Sequence, residues 1–214
     1  MPKAVNQIAQ PHVDADIARS WTLPSHLYTD PAALSDERQR IFSRTWQLVA
    51  RRDQLANPGD YLTTEVAGEP LLLVRDGEGK LRAFYNVCRH RAGPPAEGCG
   101  SRKVFRCSYH GWTYALDGHL LNAPEFEGVE DFRPQEFGLA PVRAEEWALW
   151  VFVNLDEAAE PLLSALRELS VQAPRFDMER LRFLERREYV MQCNWKTYLD
   201  NYLEATTCPA CIPA

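Results

Sequence analysis

Several things are scarce or missing in this sequence, and each absence narrows the reading. There is no long apolar run: the strongest stretches, near Trp147–Val153 and Pro70–Val74, fall far short of the ~20 residues that cross a bilayer, so no membrane partner is expected. There is no basic block, and the net charge is −6 with a pI near 5.4, which argues against nucleic acid. So small an acid excess is usually a solvated surface, although it would favour a basic redox partner. The first twenty residues hold no apolar core of a secretory signal, and the expected location is the cytoplasm. In that compartment six cysteines point to metal ligands or free thiols rather than to a disulfide framework. Internal repeats and low-complexity tracts are absent. Histidine is sparse, with five residues and none beyond His119.

What is present suits a folded chain. Hydrophobic residues make up 45% of 214, enough for a core and too many for a disordered chain, and the length fits one domain plus part of another. Residues 1–45 read as an N-terminal arm, with a helix opening at Asp30-Pro31 and continuing through Leu34, Ile41 and Phe42. Residues 46–155 change to short β-rich runs at Trp46–Ala50, Tyr61–Glu65, Leu71–Arg75 and Leu81–Asn86. Asn57-Pro58-Gly59, Gly68-Glu69-Pro70 and Asp76-Gly77-Glu78-Gly79 separate them, and the spacing predicts an antiparallel β module. Trp112–Leu116, a turn at Asp117-Gly118 and a strand over Trp147–Asn154 extend it. Residues 156–204 read as the start of an α+β domain, with a helix over Pro161–Ser170, a long strand over Arg182–Gln192 and a helix over Asn194–Glu204.

The chemistry concentrates in two short segments. Cys88-Arg89-His90 is followed, sixteen residues later, by Cys107-Ser108-Tyr109-His110-Gly111-Trp112. Two Cys and two His in two loops form a metal-ligand pattern. A two-iron, two-sulfide centre of the Rieske type takes two thiolates on one iron and two imidazoles on the other. Each loop then supplies one ligand to each iron, which Cys-x-His and Cys-x-x-His do. Each pair follows a predicted strand, Leu81–Asn86 or Val104–Arg106. Gly93 and Gly111 would let backbone approach the sulfides, and Ser108 and Tyr109 could donate hydrogen bonds that raise the potential. The alternative is a Cys₂His₂ zinc site stabilising an interaction module; zinc fingers, however, pair Cys with Cys and His with His within a segment.

The stretch from Trp46 to Asn154 resembles the Rieske domain of ring-hydroxylating, or Rieske non-haem iron, oxygenase large subunits. Cys-Arg-His-Arg-Ala-Gly, Glu-Gly-Cys-Gly and Cys-Ser-Tyr-His-Gly-Trp-Thr-Tyr carry the likeness. The resemblance implies a mainly β Rieske [2Fe–2S] domain of antiparallel sheets, with an N-terminal helical arm and the beginning of an α+β catalytic domain. It also implies a [2Fe–2S] cluster on Cys88, His90, Cys107 and His110, a ferredoxin or flavin reductase as electron donor, and a trimer-type homo-oligomer in intact relatives. Respiratory Rieske proteins add a disulfide between the two ligand loops; Ser108-Tyr109 stands where its second Cys would lie, so Cys99 is expected to be a free thiol. Cys193-Asn194-Trp195-Lys196 and Asp200-Asn201-Tyr202-Leu203-Glu204 are similar to the start of the family's catalytic domain. By position Glu204 matches the carboxylate that bridges one subunit's cluster to its neighbour's mononuclear Fe(II).

The sequence departs from the family after Glu204. Thr207 and Ile212 stand where the two iron-ligating histidines belong, so mononuclear Fe(II) is not expected to bind this chain, and oxygenase activity is not expected of it. Residues 205–214, Ala-Thr-Thr-Cys-Pro-Ala-Cys-Ile-Pro-Ala, fit a family-like Gly-Tyr-His ending read one base out of frame. We expect a frameshifted tail, with Cys208-x-x-Cys211 an accident of the shift rather than a redox pair; sequencing the DNA across codon 204 tests this. A free-standing Rieske carrier is the remaining alternative to the oxygenase-subunit reading.

Overall fold

The computed structural model describes residue 14, residues 16–19 and residues 21–205. The tail at 205–214, with Thr207, Ile212 and the Cys208-x-x-Cys211 pair, lies outside these apart from Ala205. The chain divides into two compact units, residues 38–184 and residues 1–37 with 185–214.

The larger unit is an antiparallel β structure. Seven strands form one sheet in the order β1 (Gln47–Arg51), β10 (Trp150–Asn154), β9 (Pro141–Trp147), β4 (Leu81–Tyr85), β3 (Glu69–Arg75), β2 (Asp60–Val66), β5 (Cys99–Ser101). Three short strands, β6 (Phe105–Arg106), β7 (Thr113–Tyr114) and β8 (Leu120–Asn122), form the second sheet. The run Leu71-Leu72-Leu73-Val74 shows how the core is arranged. All four residues are buried, because β3 is covered on both faces. Leu72 and Val74 join Tyr61, Phe84, Phe105, Trp112 and Tyr114 on one side, whereas Leu71 and Leu73 join Leu55, Leu62, Val151 and Val153 on the other. At roughly 2–3 kcal/mol for each buried leucine, this strand is a main anchor of both clusters.

The β3–β4 turn is held by a side chain. Asp76 Oδ1 accepts from the amides of Glu78 (2.9 Å) and Lys80 (2.8 Å), and Oδ2 accepts from Arg82 Nε (2.8 Å). This fixes the start of β4, which leads into the first Cys/His segment. Beyond the second segment, Gly118 supplies the left-handed backbone of the β7–β8 turn (φ +91°), and a Cβ there would lie 2.4 Å from the Phe84 ring.

Three sequence expectations change in detail. Trp147–Asn154 is not one strand; β9 ends at Trp147 and turns back into β10 through Ala148 and Leu149. Ala148 takes a left-handed conformation (φ +51°) that Trp-Ala-Leu-Trp does not advertise with Gly or Asn. Pro161–Ser170 is two short helices, α3 (Leu162–Leu166) and α4 (Glu168–Gln172), broken at Arg167 (φ +45°). Arg182–Gln192 forms no strand, since it pairs with no neighbour among the described residues, and its side chains are exposed, Val190 to 90%.

In the smaller unit a short helix, α1 (His26–Thr29), comes first, and Asp30 Oδ1 then accepts from the Ala32 amide at the start of α2 (Pro31–Glu37). Asn194 does the same for Lys196 at the start of α5 (Trp195–Ala205), the helix expected over Asn194–Glu204. The arm grips that helix. Glu37 forms an ion pair with buried Lys196 and accepts from Trp195 Nε1 (2.8 Å), while Tyr28 Oη donates to Asp200 (2.6 Å). Glu204 lies on α5 by its backbone.

Candidate metal centre

Two loops bring the four candidate ligands together, and the two loops close alike. In the first, the Cys88 amide donates to Gly93 O (2.9 Å) and the Ala92 amide to Cys88 O (3.0 Å). In the second, the Cys107 amide donates to Trp112 O (2.9 Å) and the Gly111 amide to Cys107 O (3.0 Å). The equivalent corner positions, Ala92 (φ +60°) and Gly111 (φ +77°), are both left-handed. One loop therefore uses glycine where the other strains an alanine. Asn86 locks the first loop: its Nδ2 donates to Ala96 O (2.8 Å) and its Oδ1 accepts from the Ala96 amide (3.2 Å). Gly93 leaves room for the second loop, since a Cβ there would sit 3.1 Å from Cys107 Sγ and 3.2 Å from Tyr109 Cβ. Gly111 is needed for its backbone conformation and for the guanidinium of Arg106, which would meet a Cβ at 3.2 Å.

The side chains sort by type. Cys88 and Cys107 are buried free thiols, close enough that Cys88 helps to raise the Cys107 pKa. His90 and His110 meet edge to face with ring centroids 4.6 Å apart. His90 stacks parallel to buried Trp112 (5.0 Å, 7°) and receives the edge of Phe126 (5.6 Å), while His110 lies under exposed Tyr109 (3.9 Å). Burial, then His110 and Arg91, holds the His90 imidazole below its ordinary pKa, favouring the neutral form that binds metal. Burial first, then Cys88, raises the Cys107 thiol, against the lowering pull of the Tyr109 and His110 amides.

One residue carries a role that the sequence reading gave to others. Tyr114 Oη lies 3.1 Å from Cys88 Sγ and accepts from the Arg89 amide (3.0 Å). Burial first, then Cys88, pushes its phenol well above the usual range, so it stays a donor at any ordinary pH. Ser108 and Tyr109, expected to donate near the cluster, are exposed at the loop tip and neither hydroxyl bonds a cysteine sulfur. The second loop turns them outward, and the alternation of β7 turns Trp112 and Tyr114 inward. The Cys-Ser-Tyr-His-Gly-Trp-Thr-Tyr text contains that period-2 signal. Asn86 had no signal beyond its place before Cys88. Cys99 is an exposed free thiol, as expected.

Residues 45–133 match the family model of the Rieske [2Fe-2S] domain. The chain is 39% identical over 203 residues to the carnitine monooxygenase oxygenase subunit of Escherichia coli (strain K12), covering 94% of this chain and 54% of that protein. It is 39% identical over 191 residues to the chloroplastic choline monooxygenase of Beta vulgaris, covering 86% and 43%. This chain carries a Rieske domain, and its relatives are Rieske oxygenases. Among solved structures, a quaternary ammonium Rieske monooxygenase in complex with L-carnitine superposes with a TM-score of 0.83 at 35% identity, over 88% of this chain and 55% of that one. A naphthalene 1,2-dioxygenase from Rhodococcus sp. bound to indole gives 0.68 at 30% identity, over 72% and 36%. The chain spans about half the length of the curated relatives it matches.

A Rieske domain implies a [2Fe–2S] cluster, and the residues present fit one. His90 Nδ1 is fully buried with no hydrogen-bond partner, as is Trp112 Nε1, and a bond to metal would satisfy the imidazole nitrogen. Among the described residues no three His, Cys, Asp or Glu side chains converge as ligands of one ion. A two-iron cluster needs no such point, because each iron takes two protein ligands. No helix among the described residues is long and apolar enough to cross a membrane.

Proposed function

We infer that Cys88 and Cys107 hold one iron of a Rieske [2Fe–2S] cluster and that His90 and His110 hold the other. The observation that carries this is the sorting of the side chains, thiol beside thiol and imidazole beside imidazole, across two loops that each supply one of each. The bound cluster supplies one-electron transfer. The protein's part is to bury the thiolates, hold the Tyr114 hydroxyl against Cys88, and leave His110 at the surface.

On this reading the chain is the electron-transfer portion of a Rieske oxygenase subunit. It takes electrons from a ferredoxin or flavin reductase and delivers them toward a mononuclear iron site. Glu204, on α5, is the carboxylate proposed to link the two centres across subunits of a homo-oligomer. The relatives named for choline and carnitine suggest a quaternary ammonium compound as the substrate class of the complete enzyme. With Thr207 and Ile212 at the two histidine positions, the polypeptide as written hydroxylates nothing by itself.

Anaerobic purification tests the reading. Red-brown protein with about two irons and two acid-labile sulfides per chain is expected, as is an EPR signal on reduction. Stoichiometric zinc without sulfide would overturn it. The potential should also fall as pH rises through ionisation of the two ligating imidazoles.

A further inference from the structure

The segment from Phe183 to Met191 has what a strand needs except a neighbour. Among the described residues, none of its amides or carbonyls has a backbone partner. The chain is nonetheless straightened as in a strand. Arg186 pairs with Glu188, and Arg187 with Glu185 (2.6 Å), each across two residues. Side chains two apart share a face in extended backbone and not in a helix. The apolar residues around these pairs are exposed, Leu184 to 89% and Tyr189 to 78%. Open backbone groups flanked by exposed apolar side chains are a template for another strand.

The order of the charges says which strand fits. Residues 183–191 read Phe-Leu-Glu-Arg-Arg-Glu-Tyr-Val-Met. Let a second copy run antiparallel with Arg187 opposite Arg187. Leu184 then faces Val190 and Arg186 faces Glu188, and by symmetry each pair occurs twice. Alternate residues share a face, so the four pairs form one continuous row, apolar at both ends and oppositely charged in the middle. On the other face Phe183, already under the Arg51 guanidinium (3.6 Å), meets Met191, and Glu185 meets Tyr189. The unfavourable pair is Arg187 with its own copy, and each Arg187 keeps its Glu185. Neighbouring registers are worse. A shift of one residue sets Glu185 opposite Glu188, or Glu185 opposite Val190. A shift of two sets Leu184 opposite Glu188, or Arg186 opposite Val190. A parallel in-register pair sets every charge opposite itself. A two-stranded ribbon also needs an apolar cover, and in the smaller unit α5 exposes Tyr198, Leu199, Tyr202 and Leu203.

We propose that Phe183–Met191 is an interaction strand for a second copy of this chain, antiparallel and in the register centred on Arg187. The contact is isologous and closes at two copies. It uses no residue of the candidate metal centre, so it goes beyond the cluster reading and does not depend on it.

The test is sedimentation velocity of the cluster-loaded full chain between about 1 μM and about 100 μM, with amide hydrogen exchange at both ends of that range. A monomer–dimer equilibrium is expected, with protection over residues 183–191 that grows with concentration. R186E alone and E188R alone each set like charges opposite one another at both charged pairs, and each should weaken the dimer at least ~10-fold. Mixed one to one, the two variants set opposite charges at both pairs, and so does the double variant R186E/E188R; both should return to near wild-type affinity. Circular dichroism and cluster absorbance of each variant show that the fold is kept. A monomer at every concentration overturns the proposal, as does a trimer or open-ended association. A dimer that leaves residues 183–191 unprotected places the interface elsewhere and overturns it too. Single variants that bind as wild type, or that are weakened without recovery on mixing, overturn the register and with it the proposal. A dimer with these properties but no cluster overturns the cluster reading alone.

Discussion

Tyr114→Phe isolates one hydrogen bond to a proposed ligand. The phenol is fully buried, its ring is packed in the core beside Trp112 and Phe105, and its hydroxyl lies 3.1 Å from Cys88 Sγ. Phenylalanine keeps the ring and removes only the oxygen. A hydrogen bond to a charged acceptor contributes about 1.5–3 kcal/mol. The midpoint potential responds only to the part that differs between oxidation states. Reduction puts more negative charge on the sulfurs, so the bond strengthens and favours the reduced form; its loss must lower the potential. If about 1 kcal/mol of the bond is specific to the reduced state, a one-electron couple shifts by about 40 mV. The same change leaves the Arg89 amide without its acceptor, a further cost of ~1–3 kcal/mol to folding. EPR-monitored redox titration measures the first effect and denaturant unfolding the second. An intact cluster whose potential stays within about 10 mV of wild type, or rises, would refute the assignment of Tyr114 as donor.

Other perturbations separate the loops from the rest of the fold. Asn86→Ala removes both bonds to Ala96 and strands a buried amide and carbonyl, so a loss of about 2–4 kcal/mol is expected, with lowered iron content because the first loop is no longer closed. Ala92→Gly should stabilise by roughly 0.5–1 kcal/mol in thermal unfolding, since glycine occupies the left-handed corner without strain, as Gly111 already does in the sister loop. In the apo-protein, His90 has a folded pKa below its ordinary 6.5, so the unfolded chain binds the proton more readily. Stability from this group is complete above pH 6.5 and declines as pH falls below it, and His90→Gln should flatten that limb. For Asp76, burial pushes the pKa up, but Arg82 and the Lys80 and Glu78 amides outweigh it and hold it below 3.8. Its contribution is therefore present above pH 3.8 and is lost as pH drops through the lowered value; Asp76→Asn should lose it at every pH.

The β module was legible because its signals are local. Tyr61–Glu65, Leu71–Arg75 and Leu81–Asn86 are short apolar runs bounded by Gly, Pro and Asp turns, and each lies on a strand. Where a turn is made without those residues, as at Ala148, pattern reading joins two strands into one. The short strands β5 and β8 escaped because two or three residues carry no period. Arg182–Gln192 misled for the opposite reason. Its composition is strand-like, but a strand exists only by pairing, and no sequence pattern supplies the partner.

The candidate site shows the same division between what a residue is and where it points. Cys88, His90, Cys107 and His110 could be proposed as a set from the sequence because ligand chemistry restricts metal sites to few residue types at few spacings. The surroundings obey weaker rules. A tyrosine within four residues of a ligand can face the core or the solvent, and the choice turns on strand phase: Tyr109, at the loop tip, faces out, whereas Tyr114, on β7, faces in toward Cys88. A hydroxyl does lie against a candidate ligand, but it is that of Tyr114, not those of Ser108 and Tyr109, which proximity in sequence had suggested. Proximity across the hairpin decides, because the first loop and β7 are joined by Tyr114 itself, through the Arg89 amide and the Cys88 sulfur together. The residue that positions the first loop is thus placed on the strand that leaves the second.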